Sequence, residues 1–142
     1  MLQDTFRDRM LLQRYLEPIT LKYDISAAEA RLMLYLNQAK EIGTRRELAE
    51  LTNLSRTSLS LTLKKLVSRD LISMEEIKNP KTKEKQIALE FLPESSRLLA
   101  DLVQAEKDCE HVRLSGFTPE ELKEYQVLSD KIKANIQNVL QA

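Results

Sequence analysis

Apolar positions recur along this chain at two spacings, and the change between them marks its organisation. Leu2, Phe6, Leu12, Tyr15 and Leu16 fall at helical intervals. Pro18, which lacks an amide hydrogen, is expected to stop that first helix. A second helix should open at Ser26, where Glu29 completes a capping box. It is apolar nearly all round from Ala30 to Leu36, as a central buried helix would be. Two further helices are predicted, from about Arg45 to Thr52 and from Ser55 to about Arg69. The period then shortens to two: Ile72 and Met74 give a weak strand, and Ile87, Leu89 and Phe91 a clear one. Between them the lysine-rich run from Lys78 to Lys85, with Asn79-Pro80, reads as a turn. After Pro93 the helical period returns, with Leu98, Leu102, Ala105, Cys109 and Val112 at alternating steps of four and three. Gly116 should break it, and Thr118-Pro119-Glu120-Glu121 restarts a last helix with a capping threonine, proline at the first position and a completing glutamate. That helix carries Leu122, Tyr125, Leu128, Ile132, Ile136 and Val139 along one face.

The chemistry lies in the segment from Thr44 to Leu66. Leu48, Ala49, Leu54, Leu59, Leu63 and Leu66 form the interior of two helices joined by a tight turn, with small Ala49 where the helices approach. Ser55 is a favoured N-cap for the second. This is the spacing of a helix-turn-helix, whose second helix enters the major groove of DNA. The outer face of that helix is expected to present Arg56, Thr57, Ser58, Ser60, Thr62, Lys64 and Lys65, without one carboxylate. A merely solvated helix would mix Glu with Lys at four-residue spacing. Hydroxyls and cations instead hydrogen-bond phosphate oxygens, and Arg or Lys reads guanine edges. Placed after this motif, the hairpin becomes a wing, and Lys78, Lys81, Lys83 and Lys85 would reach phosphates or the minor groove.

Composition changes the picture in one respect. The 142 residues carry 22 basic and 22 acidic side chains, so a formal net charge of zero argues against a nucleic-acid ligand. The balance is a cancellation. Residues 55–85 hold 8 basic against 4 acidic groups, while residues 91–142 hold 6 against 9. The apolar share of 42% excludes a disordered chain, and scarce glycine (2) and proline (4) favour helix. One cysteine, Cys109, excludes a disulfide framework and a cysteine-rich zinc module; it reads as a buried structural thiol rather than an oxidant sensor. The chain holds one histidine, His111, two residues from Cys109 and on a different side of the helix, so the pair makes no site and His111 reads as a surface residue. No nucleophile–base pair, phosphate-cradling loop or metal cluster appears, so no enzyme activity, cofactor or metal is expected. No run is long enough to span a membrane, and a cytoplasmic location is expected.

In order and spacing the chain resembles the multiple-antibiotic-resistance regulator (MarR) family of winged-helix transcription factors. The resemblance runs over essentially its whole length and is densest from Glu47-Leu48-Ala49 through Leu54-Ser55, Leu59-Ser60 and Lys65-Leu66 to Leu71-Ile72. Three positions depart from the family pattern: Asp70 stands where glycine is usual, the wing lacks the usual aspartate–arginine pair, and Leu61 replaces a recognition-helix arginine. Leucine there could pack on a thymine methyl. The resemblance implies an obligate homodimer with intertwined terminal helices, and a small-molecule or redox signal that resets the spacing of its two reading heads.

The sequence thus predicts a mainly α, α+β winged helix-turn-helix with long N- and C-terminal dimerisation helices. Residues 26–92 would bind DNA, and residues 1–25 and 93–142 would dimerise. Double-stranded DNA would be met by Arg45, Ser55, Arg56, Thr57, Ser58, Ser60, Leu61, Thr62, Lys64, Lys65 and the four wing lysines. Leu2, Phe6, Leu128, Ile132, Ile136 and Val139 would form the dimer interface. The expected function is sequence-specific repression from a pseudo-palindromic operator, with release by a small-molecule effector. The alternative is a winged-helix module that binds protein without DNA specificity.

Overall fold

The computed structural model describes residues 2–39 and 43–141, with side chains described from Thr5 onward. Helix α1 spans Leu2–Tyr23, α2 Ala27–Gln38, α3 Arg45–Thr52 and α4 Arg56–Ser68. A hairpin of β1 (Ile72–Lys78) and β2 (Lys85–Phe91) follows, then α5 (Ser96–Arg113) and α6 (Pro119–Leu140). Two compact units result, residues 1–107 and residues 108–142.

The first helix does not stop at Pro18 but continues through it to Tyr23. Arg14 and Pro18 both face solvent, so water can satisfy the Arg14 carbonyl that proline leaves without a partner. Leu16 and Thr20, on the opposite side, are buried, and packing holds the helix past its local breaker. It ends instead at Asp24, whose left-handed backbone (φ 53°) lets the Ile25 amide close on the Thr20 carbonyl at 3.0 Å.

The caps read from sequence form as expected. The Glu29 amide donates to Ser26 Oγ at 3.1 Å, and the Ser26 amide donates to Glu29 Oε1 at 3.3 Å. At α6 the same exchange joins Thr118 and Glu121, at 2.9 and 3.1 Å, and holds the Glu121 carboxyl below its usual range.

One core organises the first unit. Leu32, Met33, Leu34 and Leu36 of α2 meet Leu48 and Ala49 of α3, Leu59, Leu63 and Leu66 of α4, Ile72 and Ile87 of the hairpin, and Leu98 and Leu102 of α5. These side chains are almost wholly removed from water, each contributing roughly 1.5–3 kcal/mol for a large aliphatic group. The hairpin pairs antiparallel, with Ile72 opposite Phe91, Met74 opposite Leu89, Glu76 opposite Ile87 and Lys78 opposite Lys85. Strand β1 is thus longer than its two apolar residues suggested, because pairing with β2 carries it to Lys78. The segment before α3 adds a short bridge, Thr44 to Gln86, and the Ile87 amide donates to the Gly43 carbonyl at 3.1 Å.

In the second unit the α5 stripe ends earlier than its spacing implied. Cys109 is buried, but Val112 is 47% exposed. Gly116, at φ 85°, makes the break before α6. No residue of α6 is buried within the chain, and Phe117 stacks edge-on against Tyr125.

Candidate nucleic-acid interface

The turn between α3 and α4 is built from local hydrogen bonds. Asn53 takes a left-handed conformation (φ 58°) and its amide donates to the Ala49 and Glu50 carbonyls; the Leu54 amide reaches the Ala49 carbonyl at 3.1 Å. Ser55 then starts α4, its Oγ accepting from the Ser58 amide at 3.0 Å. Helix α4 is thereby turned so that Leu59, Leu63 and Leu66 face the core. Thr57, Leu61, Lys64, Lys65 and Ser68 face water, one turn after another. No carboxylate lies anywhere on α4.

This exposed face differs from the sequence expectation at one residue. Thr62 is buried, at 7% exposure, and its hydroxyl donates to the Ser58 carbonyl at 2.7 Å. A run of small hydroxyl residues hid which of them points inward, since threonine fits a helix interior when its hydroxyl bonds back one turn. Ser60 is half-buried, while Leu61 is 56% exposed at the centre of the outward face.

Beside α4 lies a groove of about 460 Å³ lined by Thr44, Arg45, Arg46, Arg56, Ser60, Glu76, Glu84 and Lys85. The first residues of α3, the first turns of α4 and the turn end of the hairpin meet here. Arg45 crosses the groove: Nε donates to Glu76 Oε1 at 2.6 Å and Nη1 to Ser60 Oγ at 3.0 Å. Lys85 Nζ stands 3.9 Å from Glu76 Oε2. Arg46, Glu76 and Glu84 were not expected at the site. The only hint of Glu76 in the sequence is a break in the alternation, since it follows Ile72 and Met74 on the same strand face.

The wing tip is fastened by its own backbone. The Asn79 amide donates to the Glu84 carbonyl at 2.8 Å, the Lys83 amide to the Asn79 carbonyl at 2.9 Å, and the Lys81 amide to Asn79 Oδ1 at 2.9 Å. Lys78, Lys81, Lys83 and Lys85 are all exposed, with Lys83 left-handed at φ 60°.

At the far end of α4, Arg69 anchors the helix to the α1–α2 junction. Its guanidinium donates to the Tyr23 carbonyl at 2.7 Å and to the Asp24 carbonyl, and lies 3.8 Å from the buried carboxylate of Glu29. Asp70, at φ 57°, takes the left-handed turn that follows.

No protein-family model matches the chain, and no curated protein matches its sequence. Solved structures do. The transcriptional regulator PA3341 is 25% identical, covering 96% of this chain and 94% of its own, with a TM-score of 0.71. A MarR-family transcriptional regulator from Silicibacter pomeroyi superposes with a TM-score of 0.69 at 19% identity, over 93% of this chain and 84% of its own. The chain has the MarR-family winged-helix fold. Wild-type MarR from E. coli, in its apo form, shares it with a TM-score of 0.62 at 22% identity, over 90% of both chains. Within this winged-helix fold α3 and α4 form the helix-turn-helix and the β1–β2 hairpin the wing. Among the described residues no group of three or more metal-binding side chains occurs, and no helix is long and apolar enough to cross a membrane.

A second concavity lies in the first unit. It encloses about 250 Å³ and is lined by Leu12, Arg31, Tyr35, Gln38, Leu51 and Glu106, among others. Gln38 Nε2 donates to Glu106 Oε1 at 2.8 Å, and burial pushes the Tyr35 phenol up.

Proposed function

We propose that this chain is a homodimeric, MarR-type transcription repressor of the cytoplasm that binds double-stranded DNA. Helix α4 enters the major groove with Thr57, Leu61, Lys64 and Lys65 toward the bases and flanking phosphates. Arg56 and the groove beside it take the sugar–phosphate backbone, and the wing lysines Lys78, Lys81, Lys83 and Lys85 brace the neighbouring minor groove. The observation that carries this reading is the carboxylate-free outward face of α4, set in a helix-turn-helix beside three arginines and a lysine.

Dimerisation is assigned to residues 1–25 and 93–142, with residues 26–92 forming the DNA-binding part. Support comes from Leu128, Ile132, Ile136 and Val139 of α6, all more than half exposed at helical spacing, and from Phe6 of α1 at 59%. The side chain of Leu2, expected in the same interface, lies outside the described residues. The two-fold axis would demand a pseudo-palindromic operator. The 250 Å³ concavity, apolar with an arginine, a tyrosine and an amide at its edge, is the place where a small-molecule effector would act.

Equilibrium binding to a duplex enriched from a random library by the protein itself, and to a scrambled duplex, tests the proposal. Affinity for the enriched duplex should exceed the scrambled one by at least about a thousandfold, and both should weaken steeply with salt. No duplex retention, together with a salt-insensitive protein partner, would favour the protein-binding module instead.

A further inference from the structure

We propose, resting on the homodimeric DNA-binding reading above, that Arg69 is a positioning residue for DNA recognition. Without touching DNA it fixes the tilt of α4 on α1 and α5, and so the separation of the two α4 helices in the dimer.

Among the described residues, side-chain hydrogen bonds tie α4 and its caps to other elements at two places. Near the start of α4, Ser60 accepts from Arg45 of α3, which belongs to the same helix-turn-helix. At its end the C-cap residue, Arg69, reaches out of the motif. Its guanidinium donates to the Tyr23 carbonyl at 2.7 Å and to the Asp24 carbonyl, and lies 3.8 Å from Glu29 Oε2. The last carbonyls of α1 have no partner within the helix and form the negative end of its dipole, which suits a cation. Glu29 Oε2 is buried without a hydrogen bond, so the neighbouring guanidinium is what offsets its charge. Three acceptors thus converge on one planar fork, which fixes direction as well as distance. Tyr23 is held a second time, because its hydroxyl donates to Asp101 of α5 at 2.7 Å. One residue of α1 therefore joins the end of α4 to α5.

Leu59, Leu63 and Leu66 also hold α4 in the core. Apolar contact is non-directional, however, and packed helices scatter by about 15–20° around their preferred crossing angles. The 13 residues of α4 extend roughly 20 Å, so a tilt of about 10° at Arg69 moves the first turn by about 3.5 Å. That is close to the rise of one base pair, about 3.4 Å. An operator fixes both half-sites on one duplex. Heads whose tilt is already set lose less freedom on binding it, and they fit other spacings poorly.

The test uses the full chain and an enriched duplex of about 30 bp that spans two half-sites. Beside it stand the same duplex with one base pair inserted or removed between the half-sites, and a duplex carrying a single half-site. Anisotropy titrations are made at a temperature where circular dichroism shows every protein folded. For the wild type, altered spacing should weaken binding at least about tenfold, because one head leaves its bases. Arg69→Ala should shrink that penalty to about threefold or less, chiefly by weakening the enriched duplex. Its affinity for the single half-site should stay within about twofold of wild type. Arg69→Lys, which keeps the charge without the planar fork, should fall between, and it reads the same effect if the alanine variant does not fold. Leu36→Ala, a core variant on α2, should lower the urea midpoint yet keep the full wild-type penalty. A penalty unchanged in both Arg69 variants, equal losses on single and paired half-sites, or a penalty relaxed as much by Leu36→Ala would overturn the proposal. A wild-type protein indifferent to half-site spacing, or without preference for the enriched duplex over a scrambled one, would overturn the homodimeric DNA-binding reading itself.

Discussion

Leu61 and Leu63 stand two residues apart on α4 in opposite surroundings, one 56% exposed and the other fully buried. Replacing each with alanine separates the helix's two jobs. Leu63→Ala removes atoms from a core closed by Leu32, Leu59 and Leu66, and should cost about 2–5 kcal/mol. For a chain of this size that lowers Tm by about 10 °C. Leu61→Ala removes a side chain already half in water, so its stability should stay within about 0.5 kcal/mol of wild type. DNA binding should reverse the order. If Leu61 packs on a thymine methyl, the enriched duplex should bind Leu61→Ala about fivefold more weakly, about 1 kcal/mol for one lost methyl-sized contact. Replacing the contacted thymine by uracil, which lacks the methyl, should give the same loss in the wild type and little further loss in the variant. Urea melts followed by circular dichroism and anisotropy titrations measure the two quantities on the same samples. Comparable destabilisation by both variants would refute the assigned rotation of α4. Wild-type affinity for a stable Leu61→Ala would refute the assignment of its outward face to base reading.

Arg69→Ala should destabilise the protein by about 2 kcal/mol, because it leaves the buried Glu29 carboxylate without its cation and removes the tie between α4 and the Tyr23 and Asp24 carbonyls; chemical denaturation checks this. Ile132→Asp with Ile136→Asp should leave α6 helical but give a monomer in sedimentation at micromolar concentration, and an unchanged dimer would refute the α6 interface. The hydrogen bond from the Tyr23 hydroxyl at 2.7 Å lowers the Asp101 carboxyl below its usual range, with Lys22 adding to the effect. A depressed carboxyl contributes stability above its unfolded value near about 3.9, and loses it as pH falls through the folded value. Thermal melts from about pH 6 to pH 3 should show the gap between wild type and Tyr23→Phe closing toward the acid end, whereas a constant gap would refute that coupling.

Features set by neighbours in sequence were legible; features set by distant partners were not. Ser26 with Glu29, and Thr118 with Pro119 and Glu121, announce their helices because each cap is a contact within one turn. The leucine spacing from Leu48 to Leu66 likewise oriented both helices of the motif. Pro18 misled because its local penalty is outweighed by Leu16 and Thr20, buried against residues far along the chain. Thr62 misled because serine and threonine look alike until the helix is rotated against its core. Glu76 stayed hidden since its partner Arg45 lies 31 residues away, and a Glu-Glu pair on a hairpin reads as an ordinary solvated strand. Lys83 and Asp70 show the same limit at the backbone, where the left-handed turn is fixed by hydrogen bonds around it rather than by a glycine.

Hydroxyl-radical footprinting of the wild-type protein on the enriched duplex tests the central claim, that a two-fold pair of α4 helices reads DNA. Two protected patches on one face of the duplex, centred about one helical turn apart, are predicted. Protection spread evenly along the duplex, or none under conditions where the protein is folded, would contradict it.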